Sequence, residues 1–366
     1  MFRDIKKILL VKLKHIGDAL LMTPCIRALH ETFPQAQISA LVNDMCVPVL
    51  ENHPLLGEII GFPRSKLRGL SPARIRGELA FVSGIRQRRF DMVVDFTSSD
   101  RPAWIAWLSG ARYRLAYDPQ GKGFLGKKHL YTHLAPHPAD PNIHEVEKNL
   151  GVLRAFNITA ASPKLELHPS PDDRRAADET LRRLGFQPGS PFVAAHPTSR
   201  WLFKCWCDDR FAQLIDWLQR DRSLPVILTC GPDERELARA RHVLSLCATR
   251  PRALLGELSL RQWAALVSRA RLFVGVDSAP MHIAASQNIP SLALFGPTGF
   301  NNWRPWGVEH EVLVHDCPCS RDRNPHCDWT QTRACMQNIT LAEAQTALDR
   351  LLDKTAGQKA EGNCRR

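Results

Sequence analysis

The sequence predicts an α/β protein built from two doubly wound parallel sheets, arranged in tandem as two domains. The chain has 366 residues, which exceeds one ordinary hydrophobic core and suits two domains. Short apolar runs alternate with helical stretches, as in parallel sheets that are covered on both faces. The alternation restarts after the middle of the chain. We therefore expect a second sheet, and a ligand cleft between the domains, beyond the carboxyl ends of the strands.

The first half contains three apolar runs that predict buried strands. They are Lys7–Lys12, Ile38–Val42 and Met92–Phe96. A turn that contains Gly17 follows the first run. A single helix is then predicted over Ala19–Phe33, ending before Pro34 because proline cannot continue a helix.

The second half repeats this pattern after a proline-bearing connector at Leu165–Pro171. The predicted strands are Phe192–Ala195, Val226–Thr229, Leu272–Val276 and Leu292–Phe295. The predicted helices are Asp172–Leu184, Asp209–Arg220, Glu234–Cys247 and Leu260–Ser268. This order of elements again indicates a parallel sheet with helices on both faces.

The chain carries a large excess of positive charge. Lys and Arg number 49 against 37 Asp and Glu, a net charge of +12, which predicts attraction to nucleic acid, a phosphorylated sugar or an acidic membrane leaflet. We expect no nucleic-acid partner, because no helix-turn-helix, RRM or zinc-finger pattern is present. The first apolar run, Ile8–Val11, is too short for a signal peptide, and no stretch reads as a transmembrane segment. These features predict a cytoplasmic protein that at most touches a membrane surface.

Asp18 is a candidate general base. It follows the first predicted strand and a turn made possible by Gly17. A carboxylate at this strand end faces any ligand above the sheet and is able to accept a proton from a bound hydroxyl. The alternative is that Asp18 only caps the helix that begins here, and the sequence alone leaves both open.

Polar and small residues follow several strands of the second half. After its first strand come Thr198 and Ser199, with Lys204 nearby, a plausible cradle for phosphate. Asp277, Ser278, Ala279 and His282 follow the strand at Leu272–Val276, and Thr298 follows the next one. Glu234 either binds a ribose diol or caps the helix that begins there. A loop and a structural histidine remain the alternatives for the other positions.

Three further patterns carry weaker signals. Gly121–Lys127 resembles a P-loop, but Lys128 replaces the hydroxyl residue and no strand precedes it, so it is interpreted as a basic surface loop. The basic stretch Arg64–Arg89 is either a solvated helix face or a patch for phosphorylated acceptor or anionic lipid. Four cysteines fit no common zinc-site spacing and are expected to be thiols rather than metal ligands: Cys317, Cys319, Cys327 and Cys335.

Six segments, taken together, resemble glycosyltransferase family 9, the ADP-heptose:lipopolysaccharide heptosyltransferases. They are Lys14–Pro24, His196–Trp206, Gly231–Arg235, Gly275–His282, Phe295–Thr298 and Trp303–Trp306, and they occur in the order of the family. The segment Trp201–Trp206 and the cysteine-bearing tail are most similar to the heptosyltransferase III branch, which adds a side-branch heptose to the second heptose.

The resemblance implies a GT-B fold of two Rossmann-like domains facing across a cleft. We expect an acceptor-binding domain over residues 1–170, an ADP-sugar-binding domain over 171–345 and a polar basic tail over 346–366. It also implies inverting transfer of heptose from ADP-L-glycero-D-manno-heptose to the lipopolysaccharide inner core, without metal or cofactor, at the cytoplasmic face of the inner membrane. Transfer by heptosyltransferase I or II and non-catalytic binding of a nucleotide sugar are the alternatives.

Residue by residue, the resemblance implies the following roles. Asp18 would deprotonate the acceptor hydroxyl. Thr198, Ser199 and Lys204 would hold the donor diphosphate, helped by the turn at Asp277, Ser278 and Ala279, while Glu234 would reach the ribose and His282 would lie near the heptose or the phosphates. Acceptor phosphates would contact the basic region, represented by Lys66, Arg68, Arg74 and Arg76.

Overall fold

The computed structural model describes residues 2–63, 72–315 and 334–363. The chain forms two compact units, Met1–His168 and Pro169–Arg366, and the division lies within the predicted connector Leu165–Pro171. Each unit contains a six-stranded sheet in which all strand pairs are parallel. The predicted fold class of two doubly wound sheets is confirmed.

The first unit has the strand order β3-β2-β1-β4-β5-β6. Its strands are β1 Lys7–Lys12, β2 Gln37–Asn43, β3 Glu58–Phe62, β4 Met92–Asp95, β5 Tyr113–Tyr117 and β6 His133–Ala135. Its helices are α1 Ile16–Leu20, α2 Thr23–Thr32, α3 Pro72–Gln87, α4 Asp100–Leu108 and α5 Glu145–Arg154. The direction of winding reverses between β1 and β4, so the crevice typical of doubly wound sheets opens above these two strands.

The helix predicted over Ala19–Phe33 is wrong as a single element, because it is divided into α1 and α2. Pro24 lies in the first turn of α2. Inside a continuous helix its ring would clash with the carbonyl of Leu20, and its missing N–H would leave that carbonyl unpaired. The hydroxyl of Thr23 instead donates to the Leu20 carbonyl at 2.8 Å. The division leaves Asp18 in a short separate helix after β1.

The second unit repeats the topology with the order β12-β11-β10-β7-β8-β9. Its strands are β7 Val193–His196, β8 Val226–Cys230, β9 Arg252–Leu255, β10 Leu272–Val276, β11 Ser291–Phe295 and β12 His310–Val314. Its helices are α6 Pro171–Arg183, α7 Asp208–Arg220, α8 Glu234–Leu246, α9 Leu260–Val267, α10 Ala279–Ser286, α11 Phe300–Trp303, α12 Ala334–Gln337 and α13 Leu341–Asn363. Here the winding reverses between β7 and β10.

All seven predicted strands are present, and the five others lie toward the sheet edges. The edge strands are β3, β6, β9 and β12, and β5 pairs with β6. An edge strand buries less apolar surface than a central one, so its sequence carries a weaker apolar signal. The edge strand β12 is only half-buried along its length, whereas the central strands β7 and β10 are buried throughout.

The C-terminal helix α13 crosses the predicted boundary between the second domain and the tail at 345/346. Ala347, Leu348 and Leu351 are fully buried in the core of the second unit, so this part of the predicted tail belongs to that core. The long helix was not recognised because its polar residues dominate the composition of the segment. Among the helices that the structure describes, none combines the length and apolar character that crossing a membrane requires.

We expect Leu348→Ala to lower the free energy of unfolding by about 3 kcal/mol, because it removes a fully buried side chain and leaves a cavity. The matched control is Thr346→Ala, an exposed position in the same helix, which should change the stability little. Chemical denaturation of both variants measures the difference. Equal stability of the two would mean that α13 does not contribute to the core.

Candidate functional site

Both sheets place the predicted motifs at the points where their winding reverses. Asp18 follows β1 in the first unit, and the segments around Thr198 and Asp277 follow β7 and β10 in the second. Ligands of open α/β sheets bind beyond the carboxyl ends of the strands at this kind of position. Each unit therefore carries a cluster of candidate site residues at the carboxyl edge of its own sheet.

In the first unit, the carboxylate of Asp18 is only partly satisfied. Its Oδ2 accepts a hydrogen bond from the His15 amide at 3.2 Å, as part of a capping box at the start of α1. Its Oδ1 is buried and has no hydrogen-bond partner among the described residues. Capping thus occupies one oxygen and leaves the other available to accept a proton, and the two interpretations of Asp18 are compatible.

Below this turn, Lys12 forms a buried polar network. Its Nζ is fully buried and donates to Glu145 Oε1 at 2.8 Å, to Asn149 Oδ1 at 2.9 Å and to the Phe96 carbonyl at 3.0 Å. The Asn149 amide in turn donates to the carbonyl of Leu21 at 3.1 Å, next to the end of α1. The network therefore connects the ends of β1 and β4, helix α5 and the segment that carries Asp18.

The ion pair with Lys12 keeps the carboxylate of Glu145 charged. Burial alone would raise the pKa of Glu145, but the positive charge of Lys12 and its hydrogen bond outweigh this effect and hold that pKa below its usual range. None of these residues was predicted to belong to the site. The signal in the sequence was Lys12 at the end of an otherwise apolar strand. A lysine in a buried strand rarely lacks a partner, so its position indicates a buried ion pair.

In the second unit, three of the strand-end segments meet at Asp277. Lys204 Nζ donates to Asp277 Oδ2 at 2.7 Å, and the hydroxyl of Thr298 donates to the same oxygen at 2.6 Å. Lys204 ends a short 3-10 turn at Leu202–Lys204, Asp277 follows β10 and Thr298 follows β11. Three predicted residues, separated by up to 94 positions in sequence, thus form one cluster.

Beside this cluster, Thr198 belongs to a buried hydrogen-bonded chain. Its hydroxyl donates to Glu236 Oε2 at 2.8 Å and lies 3.5 Å from His196 Nε2. His196 Nδ1 lies 2.9 Å from the hydroxyl of Thr229. Burial lowers the pKa of His196 to about 3, so the imidazole is neutral at neutral pH. The chain fixes the Thr198 side chain at the end of β7.

The remaining predicted donor residues lie on the same strand ends. Ser199 is buried, and its hydroxyl accepts from the Trp201 amide at 3.3 Å. Ser278 immediately precedes α10, and its hydroxyl donates to the Val276 carbonyl at 3.2 Å rather than capping the helix. The buried ring of His282 lies in α10, with its centroid 6.5 Å from that of Trp303.

Glu234 and Glu236 occupy different positions on α8. Glu234 is exposed in its first turn, whereas Glu236 is buried and contacts Thr198. Glu234 was a predicted site residue, and Glu236 was not. A signal was present, because a carboxylate two positions further along the helix projects to a different side of it. The structure brings Glu236, not Glu234, into contact with the β7 end of the site.

Several predicted positions lie wholly or partly outside the described residues. Lys66 and Arg68 are outside them, and so is the side chain of Arg74, whereas Arg76 is exposed on α3. Cys317, Cys319 and Cys327 also lie outside the described residues. Cys335 is buried in the core of the second unit.

We expect the stability of the protein to depend on His196 in acid. Unfolded histidine binds a proton below pH 6.5, whereas the folded site binds one only near pH 3. The contribution of neutral His196 to the free energy of unfolding is therefore complete above the pKa of unfolded histidine. It is lost as the pH falls from there toward the pKa of the folded site, by about 1.4 kcal/mol per pH unit. Denaturant titrations should show a shallower pH dependence for His196→Gln than for the exposed control His129→Gln. An unchanged slope would contradict a neutral buried His196.

Comparison with known proteins agrees with this arrangement. The family model for glycosyltransferase family 9 (heptosyltransferase) matches residues 79–332. A lipopolysaccharide heptosyltransferase 3 of Escherichia coli is 31% identical over 346 residues, which cover 92% of this chain and 96% of that protein.

Solved structures share the fold over nearly the whole chain. A family 9 glycosyl transferase from Veillonella parvula has a TM-score of 0.81 at 22% identity and covers 97% of this chain and 99% of its own. The E. coli heptosyltransferase WaaC, solved with ADP, has a TM-score of 0.72 at 17% identity and covers 94% and 99%. These similarities confirm the GT-B fold that the sequence motifs predicted. The chain belongs to glycosyltransferase family 9, the heptosyltransferases, and is a glycosyltransferase.

Proposed function

We propose that this protein transfers heptose from ADP-L-glycero-D-manno-heptose to the inner core of lipopolysaccharide, where it adds the third, side-branch heptose to the second heptose. The observation that carries the proposal is the similarity to a lipopolysaccharide heptosyltransferase 3 along 92% of the chain. The cluster of Lys204, Asp277 and Thr298 and the partly unsatisfied Asp18 supply groups suited to this chemistry.

The donor diphosphate would bind at the strand ends of the second unit. Transfer breaks the bond between the anomeric carbon and the diphosphate, so negative charge develops on the departing ADP. The Lys204 side chain is largely buried, and its ammonium lies 2.7 Å from Asp277 Oδ2 at the end of β10, where it would contact the diphosphate. The Ser199 hydroxyl and the backbone N–H groups of Ser278 and Ala279 at the start of α10 would complete the anion site. The Thr198 hydroxyl would join them by turning its proton from Glu236 to the phosphate.

A lysine and a helix N-terminus would stabilise the leaving group in the place of a divalent cation. We therefore propose that transfer is metal-independent. The ribose and heptose contacts assigned to Glu234 and His282 are part of the same proposal. When no diphosphate is bound, Glu236 of α8 accepts the hydrogen bond of the Thr198 hydroxyl.

Asp18 would act as the general base. The acceptor hydroxyl attacks the anomeric carbon on the face opposite to ADP, which inverts the configuration. Its proton passes to Oδ1 of Asp18, the oxygen that has no hydrogen-bond partner among the described residues, while the electrons of the broken bond leave with ADP. General-base catalysis requires a carboxylate that is held in place and still has a free lone pair.

The acceptor would be held by positive charge on the first unit. Arg76 is exposed on α3, and the resemblance assigns Lys66, Arg68 and Arg74 to the same region. Such a basic segment suits the phosphates of the inner core and an anionic lipid surface. We propose a cytoplasmic enzyme that is peripheral on the inner membrane.

The first test measures ADP release from ADP-heptose, with and without lipopolysaccharide truncated after the second heptose. We expect acceptor-dependent release, lowered about 10²-fold or more by Asp18→Asn, with donor affinity retained. The control Asp140→Asn changes an exposed carboxylate of the same unit and should remain active. Release only with acceptors that lack the second or the first heptose would indicate heptosyltransferase II or I instead. Donor binding without any release would indicate a non-catalytic nucleotide-sugar-binding protein.

The second test concerns the anion site. We expect Lys204→Ala to weaken ADP binding by about 10- to 100-fold, because a charge-assisted contact to phosphate is lost. Calorimetry measures the affinity, with Lys354→Ala, an exposed lysine of the same unit, as the control. Affinity and turnover of the wild type should be unchanged by EDTA. Equal affinity of Lys204→Ala and wild type would remove Lys204 from the site.

A further inference from the structure

The first unit exposes a group of large apolar side chains that the proposed chemistry does not use. Trp104 and Trp107 on α4 are 43% and 47% exposed, and Leu125, in the loop after β5, is 102% exposed. We refer to Trp104, Trp107 and Leu125 as the tryptophan surface. Single exposed apolar residues are common, but a group of this size in one place marks an interaction site.

The tryptophan surface is held rigidly. The rings of Trp104 and Phe124 stack with centroids 5.1 Å apart and planes at 15°, and the ring of Trp107 lies 5.9 Å from that of Trp104. Phe124 is the residue before Leu125, so the stacked ring fixes the loop whose tip is the leucine. These ring contacts therefore hold the exposed side chains in place.

The same loop is also fixed to the start of α4 by its polar groups. Lys127 is buried, and its Nζ donates to the Ser98 carbonyl at 2.9 Å and lies 3.3 Å from Asp100 Oδ1. At Gly123, which has a φ of +92°, an added Cβ would lie 2.3 Å from the same carboxylate oxygen. The chain thus requires glycine here to bring the loop against α4.

The charge around the tryptophan surface is positive. Lys122 and Lys128 are exposed on either side of Leu125. The nearby acids are paired, Asp100 with Lys127 and Glu78 of α3 with Arg101 of α4 at 2.8 Å. An apolar centre with a lysine rim complements an anionic bilayer, since indole rings favour the headgroup level and lysines are attracted to acidic lipids.

The loop of Leu125 and the start of α4 lie at the sheet edge that carries Asp18. Helix α4 begins after β4, the loop of Leu125 follows β5, and Asp18 follows β1. These three strands are neighbours in the order β1-β4-β5 and run parallel, so their carboxyl ends share one edge. A bilayer that contacts the loop would bring a lipid-anchored acceptor to the edge at which the proposed base lies.

We infer that the tryptophan surface, with Lys122 and Lys128, is the part of the protein that docks on an anionic lipid bilayer. Leu125 and the two indole rings enter the interfacial layer, and the lysines contact acidic headgroups. The inference rests on the proposed function for its purpose, because the acceptor of that reaction is anchored in a membrane. The exposed residues themselves are observed independently of it.

The test is co-sedimentation of the full chain with vesicles of phosphatidylethanolamine and phosphatidylglycerol. We expect Leu125→Asp to weaken the partitioning about tenfold, because it removes apolar contact and adds a repelled charge. The matched control is Leu246→Asp, the same substitution at an exposed leucine at the end of α8 in the second unit, which should bind as the wild type does. Added salt should weaken binding of the wild type without abolishing it, since only the lysine contribution is screened.

The outcomes separate this inference from the proposed function. Equal vesicle binding by Leu125→Asp and Leu246→Asp, or no binding by the wild type, overturns the inference even if transfer to a delipidated core oligosaccharide proceeds. Reduced binding by Leu125→Asp alone supports it even if no transfer is found. Self-association of the wild type without vesicles, lost in Leu125→Asp, would assign the tryptophan surface to an interface between copies and overturn bilayer docking.

Discussion

The buried ammonium of Lys12 is the interaction on which the geometry of the first unit depends. A fully buried charge is tolerated only when it is paired and its hydrogen bonds are made, and here all three partners come from elsewhere in the chain. Glu145 and Asn149 fix α5, and the Phe96 carbonyl fixes the end of β4. Because Asn149 also holds the Leu21 carbonyl, the position of α1, and with it Asp18, is set by the same charge.

In the second unit, the buried carboxylate of Asp277 likewise depends on a charged partner. This carboxylate accepts hydrogen bonds from Lys204 and Thr298 at one oxygen, so it collects groups from β10, β11 and the segment after β7. Without a diphosphate, the carboxylate neutralises the lysine that an anion would otherwise bind. A bound diphosphate would have to share or displace this ion pair. Both side chains are largely buried, 17% and 6% exposed, so the diphosphate would have to replace the contact that Lys204 loses.

The central part of the fold was predictable and its edges were not. Leu272–Val276 is an uninterrupted apolar run, and the strand has the predicted limits, because a buried central strand must be apolar on both faces. The strand β9 begins at an exposed Arg252 and is only partly buried, so its sequence resembles a loop. The division of α1 from α2 was readable from Pro24, but the apolar pattern on both sides of it concealed the break.

For the site, motifs at strand ends could be found but side-chain direction could not. Parallel strands bring all their carboxyl ends to one edge, which is why Lys204, Asp277 and Thr298 are close although they are distant in sequence. Whether Glu234 or Glu236 faces that edge depends on the start and rotation of α8, which a sequence fixes only to within a few residues. The network of Lys12 could not be predicted, because its partners lie over 80 residues away in sequence and meet it only in the folded unit.

The division of the proposed chemistry between two units follows from the geometry of displacement. An attacking hydroxyl and a departing diphosphate lie on opposite faces of the anomeric carbon, so the base and the anion site must lie on opposite sides of the sugar. The first unit offers an acid-base group with a vacant lone pair and an apolar surface near the same sheet edge. The second offers a lysine, hydroxyls and a helix start. The carboxylates of the second unit are already bonded, Asp277 to Lys204 and Glu236 to Thr198, whereas Oδ1 of Asp18 has no partner among the described residues.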